Sequence, residues 1–143
     1  MPGAPSLTAM TVKLSHTFVI VDDQDKALAF YRDVLGLQLK TDVPLGDERW
    51  LTVASAEQPD VEIVLVTASM GHSSQDAEAL SALLAKGVLG SLIFATDDLA
   101  ATFERLRTAG AEVLQEPIDQ PYGVRDCAFR DPAGNHLRFS QAL

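Results

Sequence analysis

The chain has 143 residues, 47% of them hydrophobic, which is enough to bury the core of one small domain. It carries 11 basic and 20 acidic residues, and the resulting formal charge of -9 would repel phosphate backbones and anionic lipid headgroups. We therefore expect neither a nucleic-acid partner nor a membrane partner. The single cysteine, Cys127, cannot form an internal disulfide, which favours a reduced, cytoplasmic setting.

The first ten residues, MPGAPSLTAM, have neither the basic start nor the hydrophobic core of a signal peptide. They predict a disordered leader over residues 1–10, with Met10 as an alternative start. No apolar stretch in the sequence approaches the roughly 20 residues that a membrane-spanning helix needs.

A first module is predicted over residues 11–70. A β-rich run at residues 16–21 is followed by an Asp-Asp pair, either member of which can cap a helix that extends to residue 35. Gly36 stands where the end of a helix requires a left-handed residue. Three further strands are predicted at residues 37–42, 49–54 and 61–67, so the order of elements is β-α-β-β-β.

The second half of the chain repeats this order after a linker at residues 71–89. The linker predicts a short helix with one apolar face formed by Ala79, Leu80, Leu83 and Leu84. Residues 90–143 then predict a strand at 91–96, a helix at 99–109, and strands at 112–116, 124–130 and 136–141. Because the sequence at residues 14–39 returns at residues 90–114, offset by roughly 75 residues, we expect one pseudo-symmetric domain with its site where the copies meet.

Three motifs resemble the vicinal oxygen chelate superfamily, which includes glyoxalase I, extradiol dioxygenases and bleomycin resistance proteins. They are H-x-x-x-x-V-x-D at residues 16–23, A-x-x-F-Y-x-x-x-L-G at residues 27–36 and F-x-D-P-x-G-N at residues 129–135. The resemblance implies an α+β fold in which two paired βαβββ modules form an open, cup-shaped mixed sheet. It also implies completion of the cup by a second subunit, and we expect a two-fold homodimer.

The metal enzymes of that superfamily hold zinc, nickel, iron or manganese with side chains from the first and last strands of each module. His16 matches the first-strand position, and the last-strand position falls on Glu62 or, in a shifted alignment, on Val64. The corresponding residues of the second module are Ser91 and Arg138, and a guanidinium beside a cation adds repulsion. We therefore expect no metal. One alternative remains, a rearranged triad of His16, Glu62 and His136.

Two hypotheses of different classes follow. In the first, the cup sequesters a small apolar or aromatic molecule without a metal, as the antibiotic-resistance members of the superfamily do. In the second, a metal with rearranged ligands supports a glyoxalase I-like lyase or an extradiol dioxygenase-like reaction. Whether the chain is an enzyme stays open at this point.

The ligand in the cup is expected to meet both aromatic walls and charged groups. Arg138 is interpreted as a donor to an anionic or carbonyl-bearing ligand, or alternatively as a structural partner of Glu62. His16 and Trp50 also have purely structural alternatives: His16 can form an internal hydrogen bond, and Trp50 can pack in the core. The predicted ligand-binding residues are His16, Trp50, Glu62, Phe94 and Arg138, and the predicted aromatic wall is Trp50, Phe94, Phe129 and Phe139.

Overall fold

The computed structural model describes residues 11–143, so the predicted leader and the alternative start at Met10 lie outside the described residues. Residues 11–143 form eight strands and three helical segments, arranged as two modules joined by a linker helix. In chain order the elements are β1 (His16–Ile20), α1 (Gln24–Leu28) with a π-helical continuation (Ala29–Val34), β2 (Gln38–Leu45), β3 (Glu48–Ala54), β4 (Glu62–Val66), α2 (Ser74–Ala85), β5 (Ser91–Ala95), α3 (Leu99–Thr108), β6 (Val113–Asp119), β7 (Val124–Arg130) and β8 (His136–Ala142).

The strands form two four-stranded mixed sheets with the same internal order. The first runs β1-β4-β3-β2 and the second runs β5-β8-β7-β6. In each sheet the module's first and last strands are parallel neighbours, and the remaining pairs are antiparallel. The predicted α+β fold of two βαβββ modules is thus confirmed, with two separate sheets in place of one continuous sheet.

The first helix changes its hydrogen-bonding pattern part of the way along. Its start is capped by Asp23, whose Oδ1 accepts the backbone N–H of Lys26 at 3.0 Å. Further along, the N–H of Leu35 donates at 3.0 Å to the carbonyl of Phe30, five residues earlier, which is the π-helical spacing. The segment ends at Gly36, whose φ of 82° confirms the predicted left-handed position. The predicted single helix is therefore an α-helix followed by a π-helix.

The linker helix α2 forms within the predicted range, but its predicted apolar face is only partly correct. Leu84 is buried, whereas Leu83 is 40% exposed and Ala79 is exposed. Leu80 is half-buried, so the buried side of this helix is formed by Leu80 and Leu84. Within residues 11–143 no helix is long and apolar enough to span a membrane.

A single buried cluster draws apolar side chains from both modules. Tyr31 and Leu51 of the first module and Phe129 and Leu137 of the second are fully buried in this cluster. We call these residues and their neighbours the shared core. The shared core also contains apolar side chains of α1 and α3, which pack against the sheets, so the apolar sides of both modules are buried in one cluster.

Polar bonds also connect the modules, and they converge on the turn between β7 and β8. The Tyr31 hydroxyl donates to Asp131 Oδ2 at 2.6 Å, and Asn135 Nδ2 donates to the carbonyl of Ile20 at 2.9 Å. Asp131 Oδ1 also accepts the backbone N–H groups of Ala133, Gly134 and Asn135, so the same carboxylate stabilises the turn. Burial, together with the carboxylate of Asp131, raises the pKa of Tyr31 well above its usual value, so the phenol remains protonated.

Candidate functional site

Each sheet has one face in the shared core and one face turned away from it. Side chains alternate along a strand, so Val19, Leu65 and Val53 enter the shared core while their sequence neighbours point to the opposite side. We call these opposite sides the first and second open faces. The first open face carries His16, Phe18, Trp50, Thr52, Glu62 and Val64. The second carries Ser91, Ile93, Asp126, Ala128, His136 and Arg138.

The first open face combines two aromatic rings with a histidine and a carboxylate. Phe18 is 59% exposed and lies edge-on to Trp50, with ring centroids 5.9 Å apart. The His16 ring lies 6.3 Å from the Trp50 ring, and His16 Nε2 lies 3.5 Å from Glu62 Oε2. The other carboxylate oxygen, Glu62 Oε1, accepts the hydroxyl of the buried Thr52 at 2.7 Å. Three of the five predicted ligand-binding residues, His16, Trp50 and Glu62, therefore lie together on this face beside Phe18.

The second open face contains a buried ion pair with two amide side chains. Asp126 is 1% exposed, and its Oδ2 lies 3.1 Å from Arg138 Nη1. Its Oδ1 accepts Gln115 Nε2 at 2.8 Å and Gln120 Nε2 at 2.9 Å. Burial disfavours the carboxylate, but the donors Gln120, Gln115 and Arg138 outweigh it and hold the pKa of Asp126 below its usual range. Asp126 is therefore ionised at neutral pH.

His136 occupies the first residue of β8 on the same face. Its Nδ1 lies 3.4 Å from the hydroxyl of Ser91. Burial and the positive charges of Arg138 and Arg130 lower the pKa of His136, so this imidazole is neutral at neutral pH.

The strand register aligns the two open faces residue by residue. In the parallel pairs His16 is opposite Glu62, and Ser91 is opposite His136. In the antiparallel pairs Thr52 is opposite Val64, and Ala128 is opposite Arg138. The pseudo-equivalent pairs are therefore His16 and Ser91, Phe18 and Ile93, Glu62 and His136, Val64 and Arg138, and Trp50 and Asp126.

The donor set does not fit a metal ion within one chain. Among residues 11–143 no three His, Cys, Asp or Glu side chains lie close enough together to hold one. His16 and Glu62 are adjacent, whereas His136 lies beside Ser91 on the second open face. The rearranged triad of His16, Glu62 and His136 is therefore not assembled in the described part of a single chain. A third donor would have to come from another molecule.

The three phenylalanines of the predicted aromatic wall lie apart from Trp50, on the core side of their strands. Phe129 and Phe139 are buried in the shared core, and Phe94 packs against it, stacked on Phe139 with centroids 5.4 Å apart. These residues lie on the core side of their strands, since Ser91 and Ile93 take the other side. Phe94 and Phe139 thus line a separate cavity with Leu35 and Leu37, on the side away from the second open face.

The predicted pairing of Arg138 with Glu62 is also replaced by another arrangement. Arg138 pairs with Asp126, and Glu62 is held by Thr52 and His16. The interpretation of the sequence missed Asp126, Gln115 and Phe18 as components of the open faces. Phe18 had a visible signal, because it lies two residues after His16 and therefore on the same side of β1.

The open faces are not enclosed within one chain. A cavity of about 510 Å³ lies where the modules meet, and it is lined by residues such as Phe30, Glu112 and Arg130 and by none of the predicted ligand-binding residues. A smaller cavity of about 240 Å³ separates β1 from β5 and has Phe18 and Ser91 in its wall. A third cavity, of about 180 Å³, has the predicted residues Phe94 and Phe139 in its wall.

Comparison with known proteins gives these features a family context. A family model described as the Glyoxalase/Bleomycin resistance protein/Dioxygenase superfamily matches residues 13–139. The crystal structure of UcmS2 is 38% identical, covers 92% of this chain and 98% of its own, and superposes with a TM-score of 0.83. That of TnmS3, an antibiotic binding protein from Streptomyces sp. CB03234, is 32% identical, covers 94% of this chain and 99% of its own, and has a TM-score of 0.75.

A relative with an enzymatic name is similar over the same length. A probable lactoylglutathione lyase from Synechocystis sp. is 30% identical over 131 residues, which are 90% of this chain and 94% of that protein. The family match extends from β1 to β8 and includes both open faces. The chain therefore belongs to the Glyoxalase/Bleomycin resistance protein/Dioxygenase superfamily.

Proposed function

We propose that this protein binds a small apolar or aromatic molecule of the antibiotic class on its open faces and so withholds it from its target. The observation that carries the proposal is the contact between the exposed Phe18 and the half-buried Trp50 on the first open face. Clustered aromatic side chains left in water mark a surface that a ligand or partner covers. Similarity to TnmS3, an antibiotic binding protein, supports the ligand class.

The neighbouring polar groups suit recognition better than catalysis by a metal. His16 and Glu62 form one edge of the aromatic surface, so they can orient a ligand by hydrogen bonds. Arg138 and Asp126 offer a second polar position on the other open face. An apolar pocket with a few fixed polar groups is the usual composition of a small-molecule site.

We also propose that two copies form a two-fold homodimer in which the first open face of each copy is opposite the second open face of its partner. Phe18 and Ile93 hold equivalent positions on edge strands and are 59% and 71% exposed. A two-fold axis brings such unlike faces together twice, so that each first open face and the second open face opposite it enclose a space for the ligand. Sedimentation should show a dimer, and Ile93→Lys should shift it to monomer. A wild-type monomer at micromolar concentration would contradict this arrangement.

The binding proposal is tested with the chain's own fluorophore, because Trp50 is the only tryptophan. A thermal-shift screen of aromatic natural products should give stabilisation that saturates with ligand concentration, and the same ligands should change Trp50 emission. Phe18→Ala should weaken both responses, whereas Tyr122→Phe, at a residue 69% exposed elsewhere, should leave them unchanged. Stabilisation without any change in Trp50 emission would place the ligand elsewhere and refute the site.

A second candidate is a metal-dependent lyase or dioxygenase, favoured by the contact between His16 and Glu62 and by similarity to a probable lactoylglutathione lyase. A metal bound there would polarise adjacent substrate oxygens when it is present. Metal analysis of protein purified without chelator distinguishes the two candidates. Stoichiometric zinc, nickel, iron or manganese that disappears in His16→Ala would favour the enzyme.

A further inference from the structure

On the second open face, the contacts of Arg138 with neighbouring side chains fix the orientation of its guanidinium. Arg138 Nη1 lies 3.1 Å from Asp126 Oδ2 and donates to Gln115 Oε1 at 3.0 Å. Gln115 and Gln120 also donate to the second oxygen of Asp126, so the carboxylate itself cannot rotate away. A guanidinium held by a buried, hydrogen-bonded carboxylate loses little further freedom when it binds a ligand.

The outer edge of this guanidinium remains available. Both contacts use Nη1, and within residues 11–143 the structure gives neither Nε nor Nη2 of Arg138 a protein acceptor. The Arg138 side chain is 26% exposed, which is enough for a ligand to reach it and little enough for water to be partly excluded. Nε and Nη2 form a planar pair of donors directed at one acceptor group.

The fold does not require an arginine at this position. Val64 is the equivalent residue of the first sheet, and it is fully buried there without any polar partner. The equivalent of Asp126 is Trp50, so the ion pair replaces an apolar pair at the same two places. Burying an ion pair brings little stability in comparison with apolar packing. The pair therefore needs a reason other than stability.

The charge balance favours a neutral oxygen acceptor over an anion. Asp126 cancels the charge of Arg138, and the chain as a whole carries a formal charge of -9. An anionic ligand would lose its hydration without meeting a net positive field. A carbonyl oxygen costs less to desolvate and still accepts a charge-assisted hydrogen bond from the guanidinium.

We propose that Arg138, oriented by Asp126 and Gln115, is the specificity-determining residue that selects ligands bearing a carbonyl oxygen from otherwise similar aromatic molecules. This inference rests on the proposed function, since it concerns the chemistry of the same ligand. It assigns the apolar contacts to the first open face and the oxygen contact to the second. Arg138 therefore discriminates among ligands, while Phe18 and Trp50 supply affinity that is blind to the oxygen.

The test uses three probes that share two phenyl rings: diphenylmethane, its ketone benzophenone, and the carboxylate diphenylacetate. Calorimetric titration of the full chain should show benzophenone bound about 10-fold more tightly than diphenylmethane, as expected for one hydrogen bond to a charged group. Diphenylacetate should bind more weakly than benzophenone. Arg138→Met should abolish the preference for the ketone and leave the affinity for diphenylmethane unchanged.

Matched variants keep the result interpretable. Because Arg138→Met leaves Asp126 without its ion-pair partner, the double variant Asp126→Asn with Arg138→Met provides a neutral version that should show the same loss of preference. Arg125→Met removes an exposed arginine from the same strand pair and should keep the preference. Equal affinity of the wild type for benzophenone and diphenylmethane, or a preference for diphenylacetate, would overturn the inference while the proposed function stands. Failure of both uncharged probes and of the natural products to bind would overturn the two together.

Discussion

The two modules share one architecture but have different chemistry on their open faces. Both place an aspartate cap before the helix, with Asp23 and Asp98 accepting backbone N–H groups at 3.0 Å, and both pair their first and last strands in the same register. On the open faces, however, the position that Trp50 holds in the first module is held by Asp126 in the second, and the position of Val64 is held by Arg138. The side of each sheet that enters the shared core keeps its apolar character, whereas the other side has diverged. The comparison shows that packing constrains one face and leaves the other free for recognition.

The largest expected effect separates the two sides of a sheet. Phe139→Ala should lower the free energy of unfolding by about 3–5 kcal/mol, because it leaves a cavity beside Phe94 and Phe129 in the shared core. Phe18→Ala removes the same side chain from an open face where it is 59% exposed, and its cost should stay below about 1 kcal/mol. Urea unfolding of both variants measures the contrast. Similar losses would mean that the open face is itself part of the core.

The next effect concerns the polar half of the comparison. Asp126→Asn should lower the free energy of unfolding by about 2 kcal/mol at neutral pH, because it leaves the partly buried Arg138 without its counter-charge. Asp119→Asn breaks the pair with Arg125, in which both side chains are about half exposed, and should change stability little. A double-mutant cycle of Asp126→Asn with Arg138→Met isolates the pair.

The same pair predicts a dependence on acid. The pKa of Asp126 is lowered in the folded protein, so its stabilising contribution is complete above the ordinary aspartate pKa of about 4 and is lost as pH falls through the folded pKa. The difference in unfolding free energy between wild type and Asp126→Asn should therefore shrink below about pH 4. Unfolding curves at stepwise lower pH measure it. A difference that grows on acidification would contradict the assigned charge state.

A smaller effect tests the bonds that join the modules. Tyr31→Phe removes the hydroxyl that donates to Asp131 and should cost about 1–2 kcal/mol, since Asp131 Oδ2 keeps its second donor, Asn135 Nδ2. Tyr122→Phe makes the same chemical change at the only other tyrosine, which is 69% exposed, and should have no measurable effect. If Tyr31→Phe and Tyr122→Phe have the same melting temperature, the Tyr31 hydroxyl does not stabilise the association of the modules.

The smallest expected effect tests whether one module unfolds before the other. Trp50 lies in the first module and Cys127, fully buried with a pKa raised by burial to about 11, lies in the second. Because the modules share one core, Trp50 emission and Cys127 alkylation should report the same midpoint in urea. Earlier alkylation of Cys127 would show that the second module opens by itself.

The order of elements could be predicted from sequence because its signals are local. The caps, the left-handed Gly36 and the return of one pattern after roughly 75 residues all act within a few positions. The faces of the second module could not be assigned in the same way. Its opening strand alternates Leu92 and Phe94 with Ile93, so both sides carry apolar residues, and only the packing of α3 decides which side is buried.

The site was predicted in part for a related reason. His16, Glu62 and Trp50 come together on one face as expected, because strand alternation places them there. The partner of Arg138 was missed because Asp126 is twelve positions away in sequence, and because a carboxylate buried in β7 is stable only with Gln115 and Gln120 beside it. Contacts of this kind depend on strand register, which a single sequence does not specify.

The turn between β7 and β8 connects the strands that carry the proposed specificity-determining pair to the contact between the two modules. It joins the two strands that carry Asp126 and Arg138, and through Asp131 and Asn135 it is bonded to the first module. The hairpin of β7 and β8 is thus bonded to the first module at its turn, whereas its other end is not held by these bonds. Under the proposed function, residues of the second open face can therefore be exchanged to alter ligand preference without breaking the bonds of this turn to the first module.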